Sequence, residues 1–189
     1  GGVTGFATGT MTVESNLGGS RGLDIGNINL ILAGTNSYNG LTTVSSGGTV
    51  QVDDNSRLGL GKLVLNGGTY HPTASFASGR EIEIIGYGNI RTDSGTTLVQ
   101  NGNITGNNHL YKYGAGSLIL NGDNALGIVT VDNGTVRFES AGSIGSTTDL
   151  RTYSGGTAEL GSVSQSINYL DQFGGVVDLG TANLTINSG

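Results

Sequence analysis

The chain has 189 residues, of which 36 are Gly, and Gly, Thr, Ser and Asn together make up half of it. Its single Pro excludes collagen and proline-rich linkers, and the lack of Cys excludes disulfides and zinc–thiolate sites. The net charge is −6, and Lys62 and Lys112 are the two lysines. Since basic residues are not clustered, no nucleic-acid partner is expected. Leu, Ile, Val and Phe make up about a quarter of the chain, enough for an apolar core.

Short segments that begin with Gly-Thr or Gly-Val recur along the chain. They start at Gly48 and Gly68, and again at Gly134, Gly156 and Gly175. Within each group, successive starts lie roughly 20 positions apart, a period typical of solenoid proteins. A longer repeat links residues 30–36 to residues 118–124, 88 positions later, which we interpret as four turns of about 22 residues. The length then predicts eight or nine coils.

Apolar residues recur two positions apart, which places both members of a pair on one face of a strand. The pairs are Leu30/Leu32, Val50/Val52, Leu63/Leu65, Ile82/Ile84, Leu118/Leu120, Val129/Val131 and Leu184/Ile186. Stacked coils would align these pairs in an apolar interior, and five Asn-Gly pairs would form corners with left-handed backbone angles. Although Asn-Gly also favours hairpins, the regular spacing predicts an all-β fold, a parallel β-helix, rather than a sandwich.

The second copy of the long repeat has a characteristic order of residues. Its members are Leu110, Lys112, Gly114, Gly116, Leu118, Leu120, Gly122 and Asn124. This order resembles the passenger-associated repeat of bacterial autotransporters. In the first copy, Asp24 stands at the position of Lys112 and Ile28 at that of Gly116, whereas its later part matches better. In the second copy, Leu126 replaces the Tyr of the family pattern.

The resemblance implies a right-handed parallel β-helix, with residues 1–189 forming one continuous part of a longer passenger domain that extends at both ends. It also implies export across the outer membrane of a Gram-negative bacterium to the cell surface or the medium. A C-terminal outer-membrane β-barrel of the same polypeptide would carry out this export. Passengers of this kind are commonly adhesins or self-association factors, and some carry toxins or proteases.

We therefore expect a non-catalytic β-helical stalk that displays or forms an adhesive or self-associating surface. Its partner would be a host surface protein, a glycan or a second copy of the chain, and no cofactor is expected. One alternative is the scaffold of a secreted receptor-binding or toxin passenger. Another is a carbohydrate-active β-helix enzyme, because a fold alone does not determine function.

Two patterns are compatible with catalysis. Glu81 and Glu83 alternate with Ile82 and Ile84, so both carboxylates would point outward about 7 Å apart, a spacing compatible with inverting glycoside hydrolysis. The same alternation is typical of any strand with one polar and one apolar face. Ser20 is the centre of a Gly-x-Ser-x-Gly match, but no helix is predicted to follow it, which favours an ordinary glycine-rich corner.

His71 and His109 have no acidic neighbours at ligand spacing, and we predict that they lie on solvated turns rather than binding a metal or acting as bases. Asp53, Asp54 and Asn55 could ligate calcium, but the calcium-binding nonapeptide repeat is missing, which favours a solvated corner. No residue is therefore assigned to catalysis, metal binding or cofactor binding.

Tyrosine is the residue type best suited to contacts with a partner, because its ring is apolar and its hydroxyl is polar. The seven tyrosines are Tyr38, Tyr70, Tyr87, Tyr111, Tyr113, Tyr153 and Tyr169. Tyr111 and Tyr113 would share one strand face, with Lys112 on the opposite face. Packing between neighbouring coils is the alternative role, and the sequence does not select which tyrosines are available for binding.

Overall fold

A computed structural model describes residues 9–188 of the chain. These residues form 22 short strands and one 3₁₀ helix, Asn55–Arg57. In chain order the strands are β1 (Thr10–Val13), β2 (Leu23–Ile25), β3 (Asn29–Leu32), β4 (Thr42–Ser45), β5 (Thr49–Val52), β6 (Leu63–Asn66), β7 (Thr69–Pro72), β8 (Phe76–Ser78), β9 (Ile82–Ile84), β10 (Tyr87–Arg91), β11 (Thr97–Gln100), β12 (Ile104–Thr105), β13 (His109–Tyr113), β14 (Ser117–Leu120), β15 (Ile128–Val131), β16 (Gly134–Phe138), β17 (Asp149–Tyr153), β18 (Gly156–Glu159), β19 (Gln165–Ile167), β20 (Tyr169–Phe173), β21 (Val176–Asp178) and β22 (Leu184–Ile186). None of the described residues forms a helix with the length and apolarity needed to span a membrane.

The strands form four parallel sheets. The nine-stranded sheet contains, in order, β1, β3, β5, β7, β10, β13, β15, β17 and β20. A six-stranded sheet runs from β8 to β21, a five-stranded sheet from β2 to β12, and β19 pairs with β22. Consecutive strands lie in different sheets, and each strand pairs with its counterpart one turn earlier. The chain therefore winds as a parallel β-helix, which confirms the predicted fold class.

The nine-stranded sheet defines the turns of the helix. One row of hydrogen-bonded neighbours across it contains Thr10, Asn29, Thr49, Thr69, Asn89, Tyr111, Thr130, Arg151 and Asp171. Successive members are roughly 20 positions apart, which confirms the predicted coil length and gives nine turns. At about 4.8 Å per strand, the stack is about 38 Å long.

The core is a column of apolar side chains along the helix axis. Six of the seven predicted pairs are buried, as the two-residue period requires. The prediction is wrong for the seventh pair, because Leu184 is half-buried and Ile186 is 46 % exposed. These two residues lie in β22, which pairs with β19 alone among the described residues, so no further turn there covers them.

The two copies of the long repeat lie on different faces of the helix. Leu30 is in β3 of the nine-stranded sheet, whereas Leu118 is in β14 of the six-stranded sheet. The second copy therefore lies four turns further along the helix and, in addition, on the next face of the helix. Our interpretation of the offset as four whole turns is wrong. The repeat describes a strand, a corner and the strands that follow, and this local geometry fits more than one face.

The Asn-Gly pairs are not all corners of the kind predicted. Gly67 and Gly134 have left-handed angles (φ 81° and 72°), as expected. Gly40, Gly102 and Gly122 do not, and there glycine is required by close packing between turns. A Cβ on Gly40 or Gly102 would lie 2.2 Å from a backbone atom of the preceding turn. The prediction is therefore wrong for these three pairs, because turn stacking, not backbone angle, selects the glycine.

Gly102→Ala should lower the free energy of unfolding by about 1–3 kcal/mol, because the added methyl group would overlap the carbonyl oxygen of Arg80. Gly79→Ala is the matched control, since its Cβ would meet no atom within 4 Å. The control should change the free energy of unfolding by less than about 0.5 kcal/mol. Urea unfolding of both variants checks this, and equal effects would contradict the steric explanation.

Candidate functional site

The two carboxylates considered for catalysis lie on the outer surface, and one of them is held in an ion pair. Glu81 and Glu83 both point outward, as predicted. Nζ of Lys62 lies 2.9 Å from Oε2 of Glu83, so this carboxylate is held in an ion pair. The residues beside Glu83 on the adjacent strands are Val64 and Thr105, so neither adjacent strand position places a carboxylate beside it.

The serine and calcium-binding candidates also lack the surroundings that nucleophilic catalysis and calcium binding require. Ser20 lies on an exposed bend that leads into β2, whereas the nucleophile elbow needs a helix after the serine. Asp54 caps the 3₁₀ helix by accepting the Ser56 N–H at 2.8 Å, which lowers the pKa of that carboxyl. Asp53 pairs with Arg57 at 2.6 Å. Among residues 9–188, His, Cys, Asp and Glu form no group of three that could hold a metal ion.

The two histidines do not lie on solvated turns, so that prediction is wrong. His71 is in β7, is 5 % exposed, and has its Nε2 2.9 Å from Oδ2 of Asp93. His109 is in β13, where its ring stacks on Tyr111 at 3.8 Å and its Nε2 lies 2.7 Å from Oγ1 of Thr130. Burial lowers the pKa of His109 to about 4, so its ring is neutral at pH 7. Each ring therefore has one polar side-chain partner on the following turn, Asp93 for His71 and Thr130 for His109.

Lys112 points into the interior, opposite Tyr111 and Tyr113, as the alternation predicted. Its Nζ donates hydrogen bonds to the carbonyl oxygens of Tyr113 (3.2 Å), Gly114 (2.7 Å) and Asn133 (3.1 Å). Burial lowers the pKa of Lys112 to about 8. This lysine of the repeat therefore connects two successive turns and is not a surface group.

The Asn that ends each repeat has a structural role that its sequence pattern alone did not indicate. Asn36 and Asn124 are both buried. Oδ1 of Asn124 accepts the Ile104 N–H at 2.7 Å, and its Nδ2 donates to the carbonyl of Ser143 at 2.8 Å. Asn36 likewise accepts the Leu17 N–H at 2.7 Å. Each side chain thus bonds to the preceding turn and, through its amide, to the next. The sequence did contain a signal for this role, because Asn follows the Leu-x-Leu segment at the same distance in both copies of the repeat.

The structure separates the tyrosines into two groups. Tyr38 and Tyr70 are 2 % and 1 % exposed and belong to the core. The other five point outward from the nine-stranded sheet, together with a phenylalanine. We call this group the aromatic face: Tyr87, Tyr111, Tyr113, Tyr153, Tyr169 and Phe173. Residues that are scattered along the sequence therefore form one surface.

The aromatic face covers the C-terminal half of the nine-stranded sheet, from β10 to β20, a span of about 19 Å. Five of its six members are 36–52 % exposed. Rings of neighbouring turns support one another, since Tyr153 stacks on Phe173 at 4.9 Å. Tyr113 lies flatter on the sheet, with its hydroxyl 3.3 Å from Oγ1 of Thr69. The earlier strands carry mainly Thr, Asn and Gln at the same outward positions.

The arginines beside the aromatic face are paired with carboxylates. Nε of Arg151 lies 3.2 Å from Oδ2 of Asp171, and Nε of Arg91 lies 2.9 Å from Oδ1 of Asp93. Oδ1 of Asp149 accepts an amide hydrogen bond at 2.7 Å. The surface therefore presents aromatic rings and hydroxyl groups beside two arginine–carboxylate pairs and the hydrogen-bonded carboxylate of Asp149.

Comparison with known proteins agrees with this architecture. The passenger-associated-transport-repeat family matches residues 29–52 and 110–138. The chain is also similar to the protein named adhesin BmaC autotransporter, from Brucella suis biovar 1 (strain 1330), with 36 % identity over 147 residues. The match covers 74 % of this chain but 4 % of that relative, so the chain spans a small part of its length. No solved structure matches the chain.

A parallel β-helix with two transport repeats defines a class of exported surface proteins, the passengers of autotransporters. The chain belongs to this family: it is a passenger segment that carries passenger-associated transport repeats. As such it is exported across the outer membrane to the cell surface or the medium. The resemblance identified from the sequence is thereby confirmed.

Proposed function

We propose that this segment is a non-catalytic stalk of an autotransporter passenger whose aromatic face makes adhesive contacts. The observation that carries the proposal is the collection of all five outward-facing tyrosines on one sheet. Aromatic residues are enriched at binding surfaces, because they offer a large apolar area at a low cost in conformational entropy. The name of the Brucella relative, an adhesin, supports the same role.

The polypeptide would continue to a C-terminal outer-membrane β-barrel, as passengers of this class do. Anchored in this way, many copies of the stalk would face the same target. Weak contacts along a rod of about 38 Å would then add up through avidity, without requiring high affinity at any single site. The paired Glu83 and the exposed bend at Ser20 give no support to an enzymatic role.

Adhesion can be tested with beads that carry the purified segment. We expect these beads to bind cultured host cells more than beads with an unrelated β-helix, and replacement of Tyr111, Tyr153 and Phe173 by Ser to remove most of the binding. Leu60→Ser is the matched control, because Leu60 is 73 % exposed and lies outside the aromatic face. Binding that is unaffected by the triple substitution would contradict the proposal. Beads that bind one another instead would indicate self-association.

A further inference from the structure

We propose that the ligand of the aromatic face is a neutral polysaccharide chain that lies along the helix axis, an inference that rests on the proposed adhesive function. Sugars combine apolar C–H surfaces with many hydroxyl groups. Tyrosine matches both features, because its ring is apolar and its hydroxyl donates and accepts hydrogen bonds. The aromatic face presents five tyrosines and one phenylalanine, and the arginines beside them are paired.

The charges of the surface favour an uncharged ligand. The arginines at the aromatic face already have carboxylate partners, Asp93 for Arg91 and Asp171 for Arg151. An acidic polysaccharide or a nucleic acid would have to displace these partners, and it would also be repelled by a chain with net charge −6. A neutral polysaccharide would neither have to displace these carboxylates nor be repelled by the net negative charge.

The backbone of the sheet favours contacts through side chains. The strands β10, β13, β15 and β17 are each paired on both sides, so their N–H and C=O groups are already bonded. A peptide therefore cannot add a strand within this surface, which removes the commonest way in which sheets bind extended peptides. A glycan needs no free edge, because rings and hydroxyls supply its contacts.

The arrangement of the rings favours a long and narrow ligand. Tyr87 and Tyr169 lie in the same outward row at its two ends, four strands apart, or about 19 Å. Tyr111 is in the next row, and Tyr153 and Phe173 are in the third. A chain of several sugar units along the axis would reach rings on both sides of β15, whose outward residues Ile128 and Thr130 are not aromatic, whereas a single sugar would reach one or two.

Affinity electrophoresis of the segment through gels that contain a soluble polysaccharide tests the proposal. The neutral probes are galactomannan, xyloglucan and amylopectin, and the acidic probes are hyaluronan and heparin. We expect retardation by at least one neutral probe, and about tenfold weaker binding for Tyr111→Ala combined with Tyr153→Ala. Leu60→Ala should bind like the wild type, and circular dichroism should show that all variants are folded.

Retardation by none of the neutral probes, or stronger retardation by the acidic ones, would overturn the inference. Equal binding by the tyrosine variant and the wild type would overturn it as well. The proposed adhesive function is judged separately by the bead assay. If the beads bind host cells through the aromatic face while no neutral polysaccharide binds, the adhesive function stands and its ligand is of another class.

Discussion

Asn124→Ala should lower the free energy of unfolding by about 3–5 kcal/mol. The substitution removes the buried amide that bonds to Ile104 on the preceding turn and to Ser143 on the next. Each buried polar group left without a partner costs about 1–3 kcal/mol. Urea unfolding measures the total effect, and amide hydrogen exchange should show the Ile104 N–H exchanging faster than in the wild type.

Asn121→Ala is the matched control for this prediction. Its amide makes one exposed hydrogen bond to Asn101 at 2.8 Å, so its loss should change the free energy of unfolding by less than about 0.5 kcal/mol. Asn36→Ala should behave like Asn124→Ala, because the first copy of the repeat uses its Asn in the same way. A similar loss of stability for Asn124→Ala and Asn121→Ala would contradict a bridging role for Asn124.

The stability of the wild type should rise between about pH 8 and pH 10.4 relative to that of Lys112→Met. Burial lowers the pKa of Lys112 to about 8 in the folded state, whereas an unfolded lysine has a pKa of about 10.4. In this window the unfolded state binds more protons than the folded state, so a higher pH favours folding. The difference between these two pKa values corresponds to an increase of about 3 kcal/mol in the free energy of unfolding across this pH window.

Urea unfolding at a series of pH values checks this gain, and the difference between wild type and variant removes the contribution of groups common to both. Lys62→Met serves as the control, because Lys62 is exposed and pairs with Glu83, which raises its pKa. This variant should keep the gain between pH 8 and 10. Parallel pH profiles for the wild type and Lys112→Met would show that the buried ammonium is not destabilised.

The sequence predicted the fold well because its signals are local. A strand pairs with its counterpart one coil earlier in the chain, so the alternation within each strand and the spacing between strands suffice to define a coil. Leu30 and Leu32, or Ile82 and Ile84, could be placed in the core from alternation alone. Ile186 could not, because its exposure depends on which turns lie above it.

The roles of single polar residues were harder to predict. His71 and Asp93 are 22 positions apart in sequence and meet only because successive turns bring them into contact. Gly102 follows the Asn-Gly pattern of a corner, yet it is needed because a carbonyl oxygen of another turn lies so close. In each case the cause is a neighbour about one turn away, and a small shift in coil length would change that neighbour.

By itself, the sequence determined an all-β parallel β-helix of eight or nine coils, its inward apolar pairs and its membership of the autotransporter passengers, because the repeats encode these within single coils. Only the tertiary structure decided which residues share a surface. The face on which a strand lies depends on the summed lengths of all preceding turns, and these lengths differ: the turn from Asn89 to Tyr111 is longer than the turn from Tyr111 to Thr130. Stacking brings Tyr111 and Tyr153 to the outer surface of the same sheet, whereas Tyr70 of that sheet is buried because it points inward in register with Val50 and Ile90.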